Sequence, residues 1–114
     1  MARQGTTPII SLDVPQDFTN CNVFVTVDQD GTQVTKSSRE SSDIAITRHY
    51  NEEGEFEYST VAMYLTQAET LGFEVGVART QIRWVDILGE AKATDIGTFN
   101  IDESLYQEVI AYGN

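Results

Sequence analysis

The chain is poor in the residues that build most catalytic and metal centres. Of its 114 residues, one is cysteine, one histidine, one tryptophan and two are proline. A lone cysteine, Cys21, excludes an intrachain disulfide and any cysteine-based zinc site. It precedes the apolar stretch Val23-Phe24-Val25, which predicts a small buried hydrophobe at a strand start. A lone histidine, His49, leaves a His-based dyad or metal cluster little to draw on. Its place before an acidic loop predicts a solvated or hydrogen-bonded surface group. Positive charge is also scarce: 7 Lys and Arg stand against 18 Asp and Glu, a net charge of −11. Nucleic acid and anionic membranes repel such a surface, so neither is an expected partner. No apolar run approaches the roughly 18 residues of a membrane span. Met1-Ala2-Arg3-Gln4-Gly5 has no apolar region behind it, which predicts no signal peptide and assembly in a cytoplasm.

No Gly-x-Ser-x-Gly elbow, phosphate-binding glycine loop or zinc-ligand spacing occurs. Asp28-Gln29-Asp30-Gly31 begins like a calcium loop but lacks the later ligands of one. The expectation is a protein that is not an enzyme and uses neither cofactor nor metal.

What is present is period-two patterning with frequent turns. Cys21, Val23, Val25 and Val27 share one face of the clearest strand. Asp30-Gly31 is a type I′ hairpin signal, and Thr32 to Lys36 returns as a polar edge strand on which Lys36 discourages edge-to-edge pairing. Asp43 to His49 alternates with Ile44 and Ile46 inward. Asn51-Glu52-Glu53-Gly54-Glu55 is a hairpin tip, with Gly54 supplying the permissive backbone. In Glu55 to Leu65 the apolar phase slips near Ser59-Thr60, which predicts a bulge or break there. Val77 to Val85 places Ile82 and Trp84 inward and Arg79, Gln81 and Arg83 outward. Leu88-Gly89-Glu90 is a turn. Ala91 to Ile101 reads as one long strand with a bulge at Gly97. The only helix signal is a capping box, Thr66 with Glu69, ahead of a helix that Gly72 and Gly76 end within Thr66–Phe73.

These elements predict one all-β domain over residues 1–114, an antiparallel Ig-like sandwich of about seven or eight strands with one short helix near 66–73. The helix is expected to plug the open end of the sandwich through Leu71. The expected core is Val23, Val25, Val27, Ile44, Ile46, Val61, Met63, Leu65, Leu71, Phe73, Ile82, Trp84, Phe99 and Ile101. Residues 1–8 and 105–114 read as polar or sparsely apolar arms that order fully against neighbours. Residues 105–112 fit either a strand or a helical turn.

Leu65 to Phe73, with Gly76 and Gln81-Ile82-Arg83, fit a recurring phrase: a strand ending in Leu-Thr-Gln-x-Glu-Thr-Leu-x-Phe, then a glycine, then a strand holding Gln-Ile-Arg. Ile10 to Val14, Val23 to Val27, Val34 to Lys36, Ala93 to Ile101 and Leu105 to Ile110 fit it as well. In these words the chain resembles proteins from the tail and structural-gene regions of phages and prophages of Gram-positive bacteria. More loosely, it is similar to the N-terminal sandwich of the baseplate upper protein family. The resemblance implies a virion part whose partners are other virion proteins and copies of itself. A tail or baseplate component is the first expectation. A capsid decoration or head–tail connector protein is the second, and a carbohydrate-binding or adhesion module the third. The side chains expected to make ionic contacts are Arg79 and Arg83, the positive patch of an acidic protein, and the hairpin glutamates Glu52, Glu53, Glu55 and Glu57.

Overall fold

The computed structural model describes residues 2–112. Met1, Gly113 and Asn114, which belong to the two expected arms, lie outside the described residues. The described residues form nine strands and one helix: β1 Ala2–Arg3, β2 Ile9–Val14, β3 Asn22–Gln29, β4 Thr32–Ser37, β5 Ile44–Tyr50, β6 Phe56–Tyr64, α1 Gln67–Leu71, β7 Gly76–Val85, β8 Ala91–Ala93 and β9 Gly97–Asp102. They make two sheets. One runs β1-β9-β7-β3-β4 with β8 beside β7, and the other runs β2-β6-β5. The fold is all-β as expected, with nine strands rather than seven or eight. One pairing, β1 with β9, is parallel rather than antiparallel.

The core forms where the inward sides of the two sheets meet. Val23, Val25, Val27, Ala78, Ile82, Trp84 and Ile101 come from the larger sheet, and Ile10, Val14, Val61 and Met63 from the smaller. Leu65 and Phe73 close the helix end. Ile44, Ile46 and Phe99 are half-buried at its margin. Leu71 is half-buried too, and Thr70 is the buried residue of the helix. The plug is therefore Phe73 rather than Leu71. Phe18, in the loop before β3, is buried with its ring edge-on to Trp84 at 5.1 Å.

The hairpin signal at Asp30-Gly31 corresponds to two residues of positive φ, 49° and 93°, as a type I′ turn requires. The capping box is complete: Thr66 Oγ1 accepts from the Glu69 N–H at 3.2 Å, and Glu69 Oε1 accepts from the Thr66 N–H at 2.8 Å. The slip expected near Ser59-Thr60 is not a bulge at that step, where the pairing with β5 is regular. Ser59 points inward, fully buried, and its hydroxyl donates to the Gln16 carbonyl at 2.7 Å. A polar residue at a core position mimicked a change of phase. The register shift lies two residues earlier in β6, where Glu57 is the extra residue between Tyr58, opposite His49, and Phe56, opposite Tyr50. Residues 91–101 are two strands rather than one. Thr94 sits between them, donating its N–H to the Ile82 carbonyl at 2.9 Å and accepting the Ile82 N–H on its hydroxyl at 3.2 Å.

Lys36 corrects a second expectation. Its side chain points inward at the gap between the sheets, only 9% exposed, and Nζ donates to Asp43 Oδ2, the Tyr64 carbonyl and Glu69 Oε1, each at 2.8 Å. It fastens β4 to β5 and the helix instead of guarding an edge. Burial works to raise the Glu69 carboxyl, but the Lys36 ammonium and the Thr66 N–H outweigh it and hold that group below its ordinary value. Burial likewise works to lower the Lys36 ammonium, and its two carboxylates raise it above its ordinary value.

The N-terminal segment is not an arm over residues 2–8. Ala2 and Gln4 are buried. The Gln4 N–H donates to the Asp102 carbonyl at 3.0 Å and its side-chain amide to the Phe73 carbonyl at 2.7 Å. Main-chain pairing and one buried amide supply the anchoring that its few apolar groups do not.

Candidate interaction surfaces

Two hairpin tips have the same sequence pattern and the same construction. Asn51-Glu52-Glu53-Gly54-Glu55 joins β5 to β6, and Asp86-Ile87-Leu88-Gly89-Glu90 joins β7 to β8. In the first, Asn51 Oδ1 accepts from the Glu53 and Glu55 N–H groups, both at 2.9 Å. In the second, Asp86 Oδ1 accepts from the Leu88 and Glu90 N–H groups at 2.9 and 3.0 Å. The Asn51 N–H donates to the Glu55 carbonyl at 2.9 Å, and the Asp86 N–H to the Glu90 carbonyl at 3.0 Å. The Gly54 and Gly89 N–H groups each reach the carbonyl three residues back at 3.0 Å. Gly54 and Gly89 take φ of 82° and 85°, a conformation open to glycine at little cost. Both tips lie at the end of the sandwich away from the helix. The loop between β2 and β3 joins them there: Ser59 bonds Gln16, and Arg48 bonds Thr19 at 2.6 Å.

The two tips differ in what they carry. Glu52 and Glu53 are solvated. Ile87 and Leu88, at the corresponding positions, are 80% and 83% exposed. Burying a side chain of that size is worth about 1.5–3 kcal/mol, and neither gains it within this chain. The turn expected at Leu88-Gly89-Glu90 is present and begins two residues earlier, at Asp86, so that it includes Ile87. The readable signal was the repeat itself, Asx-x-x-Gly-Glu, with Glu-Glu exchanged for Ile-Leu.

Of the predicted ionic residues, Glu52, Glu53, Glu55 and Glu57 are all exposed on or beside the β5–β6 hairpin. Arg79 and Arg83 lie on the outward face of the larger sheet, so the two groups sit on different sheets. Arg79 stands opposite Asp28 and pairs with it at 2.7 Å. The Arg79 guanidinium and the Gln33 amide hold the Asp28 carboxyl below its ordinary range. Arg83 stands opposite Phe24 and makes no ion pair among the described residues. His49 stacks on Tyr58 with ring centroids 4.3 Å apart and meets Thr60 Oγ1 at 2.8 Å. Thr60 donates its hydroxyl proton to Asp13 at 2.7 Å, so His49 Nε2 must be the donor to Thr60. Asp13, Thr60 and His49 thus form a hydrogen-bonded polar bridge across β2, β6 and β5. Cys21 is half-buried beside the core, where burial raises its thiol above the ordinary value. Among the described residues no group of three His, Cys, Asp or Glu side chains gathers as a metal site would. Among the described residues no helix is long and apolar enough to cross a membrane.

No protein-family model, curated protein or solved structure matches the chain.

A second apolar surface lies at the helix end. Residues 103–112 form neither strand nor helix. They are strapped across the domain by glutamines: Gln107 Nε2 donates to Gln4 Oε1 at 3.1 Å, and the Gln67 side chain exchanges two bonds with the Ile110 main chain at 2.9 and 2.7 Å. The strap turns Leu105, Tyr106, Val109 and Ile110 outward, with Leu105 at 95% exposure. The C-terminal arm is thus tied to its own domain by polar groups while its apolar groups face out.

Proposed function

We propose that the protein is a non-enzymatic structural component of a phage virion, in the tail or its baseplate, and that it works by joining neighbouring virion proteins. The observation that carries this reading is the pair of matched turns. The Glu52-Glu53 turn demonstrates that the geometry needs no apolar side chain. Ile87 and Leu88 gain no burial among the described residues, and a rigid turn presenting two aliphatic groups suits a contact with another protein. The apolar strap at the opposite end offers a second contact. A sandwich with one at each end is suited to standing between two neighbours. The resemblance of Leu65–Phe73 and Gln81–Arg83 to phage tail-region proteins supports placing those neighbours in a virion.

The connectivity supports grouping the fold with immunoglobulin-type sandwiches. Strands β2, β6 and β5 correspond to B, E and D, and β9, β7, β3 and β4 to G, F, C and C′. Two hallmarks of antibody domains are missing: one cysteine excludes the B–F disulfide, and the buried Trp84 lies on β7 instead of β3.

Deleting the gene and imaging the particles tests the proposal. Tailless or baseplate-defective particles are expected. Normal tails with altered capsids would assign a head role instead. Complete infectious particles that never contained the protein would refute a structural role.

A further inference from the structure

Arg79 and Arg83 sit four residues apart on β7 and face the same way, yet their surroundings differ. Arg79 has Asp28 directly across the sheet. Arg83 has Phe24 across one side and Ala93 across the other. Its nearest outward neighbours along the strands, Gln81, Val85 and Thr26, are uncharged as well. In a chain with 18 carboxylates, this guanidinium is left without one. Two adjoining hollows of about 270 and 360 Å³ meet at this spot and share Arg83, Thr26 and Gln33 in their walls. Each is near the lower end of the range of about 300–1,000 Å³ that small-molecule sites occupy. Half-buried Phe24 lines one, and Gln81 lines the other together with the Asp28–Arg79 ion pair, in which the Asp28 charge is already matched.

We infer that this face binds a small saccharide bearing a carboxylate, with Arg83 holding the carboxylate and Phe24 lying under the sugar ring. A guanidinium grips a carboxylate through two parallel hydrogen bonds. An aromatic face packs against the C–H side of a sugar, and the amide oxygens of Gln33 and Gln81, whose N–H groups donate to Asp28 and to the Thr94 carbonyl, can accept from its hydroxyls. A peptide strand fits less well. Both β3 and β7 are paired on each side, so the middle of this face offers a peptide backbone no free main-chain groups, and those of the edge strands β4 and β8 lie only at its rim. The assembly contacts proposed above lie at the two ends of the sandwich, whereas this site lies on the outward face of the larger sheet, with Val85 and Ala91 at its margin toward the 86–90 turn.

Amide chemical shifts of the full-length protein test the inference during titration with glucuronic acid, glucose 6-phosphate and glucose. Glucuronic acid is expected to give saturable shifts at Phe24, Thr26, Gln33 and Arg83 with millimolar affinity. Arg83→Gln should weaken that binding at least fivefold while leaving the rest of the spectrum unchanged. Arg39→Gln, which removes a distant exposed cation, should leave it intact. Glucose should give no saturable shifts. Preference for glucose 6-phosphate would overturn the carboxylate assignment. Absence of shifts with glucuronic acid, or equal loss in both variants, would overturn the site.

Discussion

Glu52-Glu53 and Ile87-Leu88 occupy the same two places in the same five-residue turn, at the same end of one small protein. The backbone of each is held by an Asx side chain accepting two N–H groups and by a glycine of positive φ. One tip is what solubility asks of an exposed turn. The other leaves two large aliphatic side chains in water. Because the scaffold is the same, turn geometry and turn stability drop out as explanations, and what remains is the surface each tip presents. The comparison separates residues kept for the fold from residues kept for a neighbour, a separation that burial alone does not make.

The largest effect should come from the fold side of that divide. Phe73→Ala, which empties the fully buried plug, should cost about 3–5 kcal/mol in denaturant unfolding, while Leu71→Ala, at a half-buried site, should cost only about 1–2 kcal/mol. Equal losses would mean that the helix end is closed by both.

Lys36→Met should come next, at about 1–3 kcal/mol. The lysine is buried, but its two carboxylate partners keep part of their hydration. The sign with pH follows from the two shifts. Glu69, held below its ordinary value of 4.5, contributes above that value and loses its contribution as pH falls through its folded value. Lys36, held above 10.5, contributes below that value and loses it as pH rises past its folded one. The gap between wild type and Lys36→Met should therefore stay level from about pH 6 to 9 and narrow below about pH 4. A gap that widens in acid would contradict the clasp.

The matched turns make a sharper test. Asn51→Ala and Asp86→Ala each remove two side-chain hydrogen bonds at exposed sites and should each cost about 1 kcal/mol, equal within about 0.5 kcal/mol. A clear inequality would show that the turns are not energetically alike, and the comparison would lose its force.

Much of this architecture was legible in the residues. The Asp30-Gly31 turn, the Thr66–Glu69 box and the alternation of Val23, Val25 and Val27 each follow from a local rule that tertiary packing did not override. What was hidden depended on partners distant in sequence. Ser59 reads as a break in an apolar pattern until the Gln16 carbonyl is placed against it. Phe18 reads as a loop residue until Trp84 lies beneath it. Lys36 reads as an edge guard until Asp43 and Glu69 close on it. Arg79 and Arg83 look equivalent in the sequence, and only the cross-strand register separates them. The Ile87-Leu88 pair was readable by aligning the chain's two Asx-x-x-Gly-Glu stretches, since the same geometry with unlike side chains needs no distant information.

Exchanging one tip for the other is the smallest perturbation of the fold and the most direct probe of the central claim. Protein carrying both Ile87→Glu and Leu88→Glu should unfold within about 0.5 kcal/mol of wild type. Its incorporation into purified particles should be measured when it is supplied in place of the wild-type gene product. The account predicts a folded protein that stays out of the particles. Incorporation at the wild-type level would contradict it and return Ile87 and Leu88 to the ordinary surface.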